Sequence, residues 1–415
     1  MDTALPKIRR RLIPFLFLLY IIAYLDRVNV GFAALQMNAD LGFSATVYGL
    51  GSGVFFLSYT AFEVPSNLIL ARVGARVWIA RIMFTWGLAS SAMLFVSDAA
   101  SFYLLRFVLG AAEAGFFPGI IYYLTHWFPA RERAHAVALF MTATAMAGVV
   151  GGPLSSGLLA LDGALGLRGW QWLFLVEGLP AVLLAPVVLR HLTERPADAT
   201  WLTPAERQAV TAAIAQEHAS TPPTSKFRDV LVQPTLWVLS GVYFLLVMGF
   251  YGIGFWLPTI LQSAGDLGPS AVASISALPY VAAAVAMVFV GRHSDAAGER
   301  RWHVALPLAT GAVGFLVATQ AGASVPLALG ALSLAALGIW GALGPFWALP
   351  TAGLHGAAAA GGIAIVNSVG NVGGFVGPFL VGYVRDATGS FSAGLLLLAG
   401  GLLAGGALAL ALPRR

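Results

Sequence analysis

Two adjacent charged residues, Asp26 and Arg27, lie near the end of an otherwise almost wholly apolar run that begins at Leu12. A second pair, Arg106 and Glu113, lies in a later apolar run, and its seven-residue spacing puts both side chains on one face of a helix. A charged side chain at bilayer depth costs at least about 2.5–3.5 kcal/mol, and such residues are functional by default. We therefore expect the four charges to converge on a polar site inside the membrane.

The two residue types suit two different ligands. A guanidinium stays charged at any working pH and grips a carboxylate through two parallel hydrogen bonds, so Arg27 and Arg106 suit anion capture. A buried carboxyl beside an arginine changes its protonation as that partner moves, so Asp26 and Glu113 suit proton carriage. Because a dicarboxylate adds negative charge that protons on both acids would neutralise, anion and protons should cross together. The alternative is a buried ion pair that only fastens helices.

Neutral polar and aromatic residues are the remaining candidates for contact with a substrate. The predicted contacts are Tyr59, Tyr251, Trp347, Asn367 and Asn371, with Trp340 and Tyr280 as further wall candidates. Asn367 and Asn371 are one helical turn apart and could hydrogen-bond substrate hydroxyls, although packing between helices is the alternative. We assign Glu63 and Glu177 to helix packing, because both lie nearer to helix ends.

The composition is that of a membrane protein. Of 415 residues, 59% are hydrophobic and 10% are charged, and the mean hydropathy is +0.83, whereas soluble domains carry about 25% charged residues. The chain has no cysteine, which excludes disulfides, thiolate metal sites and cysteine nucleophiles. Twelve apolar runs are long enough to cross a bilayer: 12–34, 46–70, 77–97, 101–127, 135–160, 171–190, 235–260, 270–291, 302–321, 325–349, 357–384 and 391–412.

The positive charges orient these spans. Of the 23 Lys and Arg residues, only Arg168 and Arg385 fall in outside loops, and Arg27 and Arg106 lie within spans, if both termini are cytoplasmic. The other 19 lie in cytoplasmic segments, as the positive-inside rule requires. The basic pI of 9.6 is therefore explained by topology, and we expect no nucleic-acid partner.

A single long polar stretch divides the twelve spans into six and six. We predict an N-terminal six-helix bundle over 1–190, a cytoplasmic linker over 191–234 and a C-terminal six-helix bundle over 235–415. In the linker, Thr203, Pro204 and Glu206 predict the start of a short amphipathic helix, and STPPTS at 220–225 predicts a flexible connection.

The two halves repeat each other. Gly74 and Gly298 follow the second and eighth spans at an offset of 224 positions, and Pro153 and Pro378 in the fifth and eleventh spans are offset by 225. Two independent motifs at nearly one offset indicate duplication of a six-helix unit, which places a substrate site at the interface between the repeats. We assign gating or structural roles to Arg72, Gly74, Pro153, Asp295, Gly298 and Pro378.

These motifs carry a family resemblance. GRHSDAAGERR (291–301), together with Gly-Pro pairs in the fifth and eleventh spans, resembles the major facilitator superfamily. YLDRVNVGFA (24–33), FFLSYTAFEVPSNL (55–68), RFVLGAAEAGFFPG (106–119) and GPFWALPTA (344–352) resemble its anion:cation symporter family, and most closely the bacterial tartrate-type branch. One departure is Ala71, which stands where the superfamily pattern usually has Asp. The resemblance implies a proton role for Asp26 and Glu113 and substrate binding by Arg27.

The sequence thus predicts an all-α integral membrane protein of the major facilitator fold that imports a small organic anion with protons by alternating access. Tartrate or a similar hydroxy-dicarboxylate is the first candidate, and an exchanger or carrier of a sugar acid, an aromatic acid or a vitamin is the alternative. We expect a monomer in the inner membrane of a bacterium, with no cofactor and no metal. No H-E-x-x-H or G-x-S-x-G motif is present, so we do not expect an enzyme.

Overall fold

The computed structural model describes residues 3–220, 231–353 and 357–413. Within these ranges the regular structure is entirely helical, because in lipid a spanning segment must satisfy its own backbone hydrogen bonds. The helices of the first half are α1 (Ala4–Leu41), α2 (Ala45–Val73), α3 (Ala75–Ala92), α4 (Ala99–Glu113), α5 (Phe116–Thr125), α6 (Ala130–Met141), α7 (Ala143–Leu159) and α8 (Gly169–His191).

One helix of the linker and seven helices of the second half follow. They are α9 (Pro204–Ser220), α10 (Pro234–Ser263), α11 (Pro269–Ile275), α12 (Ala277–Ala297), α13 (Trp302–Ala318), α14 (Val325–Gly353), α15 (Ala357–Thr388) and α16 (Ser392–Ala411).

The prediction of an all-α, twelve-helix membrane protein is confirmed. Eleven helical segments in the described ranges are long and apolar enough to cross a membrane, with α4 and α5 counted as one segment and α11 and α12 as another. The remaining helix, α13, corresponds to the ninth predicted span. It has 17 residues, which is about 26 Å at 1.5 Å per residue. It is thus slightly shorter than a bilayer core of about 30 Å.

Both termini and the linker lie on one side of the molecule, called here the terminal side. Lys7 near the start of α1 forms a 2.7 Å ion pair with Glu206 of α9. The predicted helix start in the linker is present, since Glu206 also accepts a 3.0 Å hydrogen bond from the Thr203 amide. At the other end of the chain, Arg301 donates to the carbonyl oxygen of Leu412 at 2.5 Å. The predicted STPPTS connection falls almost wholly outside the described residues.

The two halves meet closely on the other side of the molecule, called here the opposite side. A methyl group added at Gly49 of α2 would lie 2.6 Å from the carbonyl oxygen of Pro378 in α15. One added at Gly31 of α1 would lie 3.1 Å from the carbonyl oxygen of Gly254 in α10. Glycine permits this backbone-to-backbone approach, as small residues do at helix interfaces in membranes.

Polar contacts reinforce the closure of the opposite side. The carboxylate of Asp386 near the end of α15 accepts hydrogen bonds from the amides of Ala45 (3.1 Å) and Thr46 (2.7 Å). An acid of the second half therefore caps the N-terminus of a helix of the first half, where unpaired N–H groups favour negative charge. The Tyr48 hydroxyl also crosses the interface, donating to the carbonyl oxygen of Phe255 at 2.9 Å.

Candidate functional site

Arg27 of α1 is the centre of a buried polar cluster between the two halves. Its side chain is 8% exposed, and one guanidinium nitrogen forms an ion pair with the fully buried carboxylate of Glu113. Another donates a 3.0 Å hydrogen bond to the hydroxyl of Tyr251 in α10. The guanidinium carbon also lies 5.3 Å from the ring centre of Phe55 and 5.1 Å from that of Tyr59. One cation thus contacts a carboxylate, a hydroxyl and two aromatic rings contributed by three other spans.

A break in the fourth span positions Glu113. Helix α4 ends at this residue, Ala114 has φ −54° and ψ 130°, and Gly115 has φ +89° before α5 begins at Phe116. A side chain at Gly115 would be strained by that left-handed backbone. It would also place Cβ 2.4 Å from the Ser66 hydroxyl oxygen. Arg106 and Glu113, seven residues apart, therefore both belong to α4, and the helix ends at Glu113.

A small cavity of about 50 Å³ lies beside Arg27. Five residues predicted as substrate contacts line it, namely Arg27, Tyr59, Tyr251, Asn367 and Asn371. The remaining wall includes Tyr20, Tyr24, Phe117, Met141, Thr144, Tyr243, Val247, Phe250 and Leu343. Many of these precede Arg27 in α1 or lie in the terminal-side parts of other spans. The cavity therefore extends from Arg27 toward the terminal side, away from the glycine contacts.

Asp26 faces away from this cavity. Its carboxylate is fully buried and accepts hydrogen bonds from the indole nitrogen of Trp86 at 2.8 Å and from the Ser90 hydroxyl at 2.6 Å. Both donors belong to α3, so Asp26 points into the first half. The expectation that all four charges converge on one site is wrong for Asp26, because adjacent residues of a helix point in different directions.

Arg106 lies near Arg27 and Glu113, as expected, but it is not among the described residues that line the cavity. Its fully buried guanidinium donates to the backbone carbonyl oxygens of Gly51 (3.4 Å) and Ser52 (3.2 Å). It lies 5.0 Å from the ring centre of Phe55, the same ring that Arg27 contacts. Both arginines therefore pack on the Phe55 ring, and only Arg27 reaches the cavity wall.

Glu63 is closer to the site than its assignment to helix packing suggested. The residue is 6% exposed, and its carboxylate accepts a 2.9 Å hydrogen bond from the side-chain amide of Asn367 in α15. Glu177 matches its packing assignment better, since it accepts a 3.0 Å hydrogen bond from Ser155 within the first half.

The predicted tryptophans lie behind the cavity wall. Trp347 packs edge-to-face on Tyr243 with ring centres 4.8 Å apart. Trp340 is fully buried against Phe250 at 4.2 Å, and Tyr280 packs edge-to-face on Trp340 at 5.5 Å. These residues support the wall and are not part of its lining.

The predicted gating or structural residues lie near helix ends or, for the two prolines, inside helices. Asp295 forms a 2.7 Å ion pair with Arg300 in its own loop, and Gly298 ends α12 with φ +63°. Gly74 has φ +101° between α2 and α3, just after the exposed Arg72. Pro153 and Pro378 lie inside α7 and α15.

Ala71, near the end of α2, stands where the superfamily pattern usually has an acid, and another carboxylate binds the start of the next helix. Glu194, from the linker, accepts hydrogen bonds from the amides of Ala75 at 2.7 Å and Arg76 at 2.9 Å. It therefore caps the N-terminus of α3.

Sequence reasoning missed three of the five tyrosines of the cavity wall, namely Tyr20, Tyr24 and Tyr243. Tyr20 and Tyr24 precede Arg27 by seven and three residues, which is the spacing of one helix face. That spacing could have identified them. Tyr243 lies eight residues before Tyr251 in α10 and shares its side of the helix by the same periodicity.

Comparison with known proteins places this architecture among transporters. A family model described as Major Facilitator Superfamily matches residues 16–378. The "Putative tartrate transporter" of Agrobacterium vitis is 51% identical over 411 residues, covering 99% of this chain and 91% of the relative. The "Quinolone resistance transporter" of Acinetobacter baumannii is 40% identical over 390 residues, covering 94% of this chain and 90% of the relative.

Solved structures share the fold. The crystal structure of a bacterial homologue of the human lysosomal transporter Spinster, described as inward-facing and unoccupied, superposes with a TM-score of 0.76. It is 18% identical in sequence and covers 97% of this chain and 95% of its own.

Proposed function

The chain belongs to the major facilitator superfamily, and from that premise we propose that it is a proton-coupled importer of a small organic anion. Its first candidate substrate is tartrate or a similar hydroxy-dicarboxylate, because the relative from Agrobacterium vitis carries that name. The transporter class follows from the family. What we propose is the identity of the anion, the coupling to protons and the inward direction of transport.

The observation that supports this proposal most directly is the ion pair between Arg27 and Glu113 at the cavity wall. Arg27 is the one arginine among the described lining residues, so an incoming carboxylate has one guanidinium to bind. That guanidinium already has a carboxylate partner. Substrate and Glu113 therefore compete for the same cation.

A proton resolves this competition. When a proton from solution binds the Glu113 carboxylate, the acid loses its charge and its strong attraction to Arg27. The freed guanidinium then binds the substrate carboxylate through parallel N–H···O hydrogen bonds. Loss of the proton would restore the original pair and expel the anion. Anion and proton thus stabilise each other on the protein, which is the thermodynamic basis of coupled transport.

Alternating access follows from the position of Arg27 at the interface. Its hydrogen bond to Tyr251 joins α1 to α10, so occupancy of Arg27 affects how the two halves, 1–190 and 235–415, fit together. In folds of this kind the halves rock around a site near the membrane midplane. We assign the terminal side to the cytoplasm from the Lys and Arg distribution. The cavity then lies on the cytoplasmic side of Arg27.

A second candidate substrate class is an aromatic monocarboxylate. Five tyrosines line the cavity together with Phe117 and Phe250, and Arg27 is the one arginine in the described lining. Such walls suit a flat apolar body with a single anionic group, since aromatic side chains stack on rings. The relative from Acinetobacter baumannii is named for quinolone resistance.

The test is uptake of labelled L-tartrate into proteoliposomes, with and without an inward proton gradient. We expect accumulation driven by the gradient in the native protein. Glu113→Gln should abolish that accumulation and leave exchange at equal pH intact, because glutamine frees Arg27 permanently.

Glu132→Gln is the matched control, since Glu132 forms a 2.5 Å ion pair with Arg9 outside the cavity. Native accumulation that is indifferent to the gradient would overturn proton coupling. Failure of tartrate combined with uptake of a labelled aromatic acid would favour the second substrate class.

A further inference from the structure

Glu63 stands out because neither its surroundings nor its place in the chain fits simple helix packing. It lies in the interior of α2, ten residues before the end of that helix, and its side chain faces the second half. One carboxylate oxygen accepts from Asn367. The other, Oε2, is buried and forms no hydrogen bond in the part of the chain that the structure describes; Glu177 shares this feature, but only Glu63 of the two accepts its hydrogen bond from the second half.

No cation neutralises Glu63 among the described residues. The groups that face it are Tyr59 from its own helix, Arg27 from α1, and Asn367 and Asn371 from α15. Arg27 is paired with Glu113 and forms no ion pair with Glu63. A buried carboxylate with one open oxygen and no partner cation is costly, because its desolvation is only partly compensated.

The charge of Glu63 also acts on any anion in the cavity. Asn367 and Asn371 line the cavity, so the Glu63 carboxylate lies directly behind that wall. Arg27 balances Glu113 alone, and a bound anion would face the remaining negative charge of Glu63. A proton on the open oxygen would remove that repulsion, and Asn367 could still donate to the other oxygen.

We propose that Glu63 is a second proton-binding site of the transport cycle, joining the co-transported proton to the contact between α2 and α15. This inference rests on the proposed proton-coupled transport. It places a proton on Glu63 in addition to Glu113, and it is independent of the role that the resemblance implies for Asp26, whose carboxylate accepts hydrogen bonds from Trp86 and Ser90 in the first half.

The position of Glu63 connects proton binding to conformational change. Its hydrogen bond to Asn367 spans the two halves, so rocking of α2 away from α15 breaks that bond. Separation would open the buried oxygen to water and allow a proton to leave or enter. The same movement opens the substrate cavity, so one step would expose both the proton site and the anion site.

The experiment is a measurement of the number of protons carried per anion, from the membrane potential at which net flux reverses in proteoliposomes. We expect Glu63→Gln to carry one proton fewer per anion than the native protein. Glu177→Gln is the matched control, because it removes another buried carboxyl of the first half that has a neutral donor partner. It should leave the ratio unchanged.

A double substitution keeps the test decisive if Glu63→Gln is inactive. Glu63→Gln combined with Asn367→Asp moves the carboxyl across the same hydrogen bond, and we expect it to restore the native ratio. An unchanged ratio in Glu63→Gln would overturn the assignment to Glu63. No restoration by the double variant when Glu63→Gln is inactive would overturn it as well. Absence of gradient-driven uptake in the native protein would instead refute the proposed function.

Discussion

Replacing Gly49 by alanine tests whether the close contact between α2 and α15 sets the balance between the two states of the protein. The added methyl group would lie 2.6 Å from the carbonyl oxygen of Pro378 and 3.3 Å from its carbon. Both neighbours are backbone atoms, which cannot move aside as a flexible side chain could. The halves must therefore separate at this point, or the closed arrangement must be strained.

The size of the effect follows from these distances. Carbon–oxygen contacts between helices are normally about 3.3–3.6 Å, so α2 and α15 must part by roughly 0.7 Å. Overpacking of this kind typically costs about 1–3 kcal/mol. Alanine also favours the helix by about 1 kcal/mol over glycine, but that gain applies equally in both states. The closed state should therefore lose about 1–3 kcal/mol relative to the open one, a factor of about 5–150.

Thiol labelling measures this shift directly, because the native chain contains no cysteine. Thr144→Cys would place a single thiol in the cavity wall. A membrane-impermeant maleimide would be applied to vesicles of each orientation. We expect Gly49→Ala to raise the labelling rate from the opposite side by about 5–150-fold, as long as the open state remains a minor population.

Gly157→Ala supplies the control, since Gly157 is an exposed helical glycine of α7 with no heavy atom within 4 Å of an added methyl group. If Gly49→Ala labels at the same rates as Gly157→Ala from both sides, the glycine contact does not limit opening and the reasoning fails.

Three further predictions concern stability. Asp26→Leu should lower the stability of the protein in detergent by about 1–3 kcal/mol for each of the two donors, on Trp86 and Ser90, that it leaves unpaired. Asp26→Asn should lower the stability less, because it keeps an acceptor. Equal losses in the two variants would contradict the donor geometry. Gly115→Ala should destabilise the protein by at least the roughly 1–2 kcal/mol of a left-handed residue, whereas Gly344→Ala, at an open helical position, should be neutral or stabilising; similar melting temperatures would argue against the helix break. The hydrogen bond from Lys7 holds the pKa of Glu206 at about 2, below its ordinary 4.5, so the stability from this contact is present above pH 4.5 and is lost as pH falls toward 2. The difference in melting temperature between native protein and Glu206→Gln should shrink over that pH range, and a constant difference would refute the linkage.

The sequence predicted the membrane fold and one side of the site, and the physical reasons are local. Uninterrupted apolar runs identify spanning helices, and the Asp26–Arg27 pair identified the first span as functional. Successive residues on a helix point about 100° apart, so the two side chains could not face one site together. Periodicity alone does not say which of them faces the other half of the molecule.

The remaining parts of the site depend on contacts between distant segments. Arg106 shares its helix face with Glu113, yet the Phe55 ring of α2 lies against its guanidinium. Glu63 and Asn367 meet across 304 positions of sequence. No local pattern encodes such pairings, because they arise only when segments far apart in the sequence pack against each other.

Because Asp386 caps α2, the salt concentration of the solution on the opposite side affects the contact between the two halves. When the halves part there, the amides of Ala45 and Thr46 exchange the Asp386 carboxylate for water, an exchange whose net free energy is small. What remains is the attraction between a carboxylate and a helix N-terminus, worth about 0.3–1 kcal/mol and weakened by dissolved salt. The ionic strength outside the membrane thereby becomes a variable of the transport cycle, favouring separation of the halves in concentrated media and closure in dilute ones.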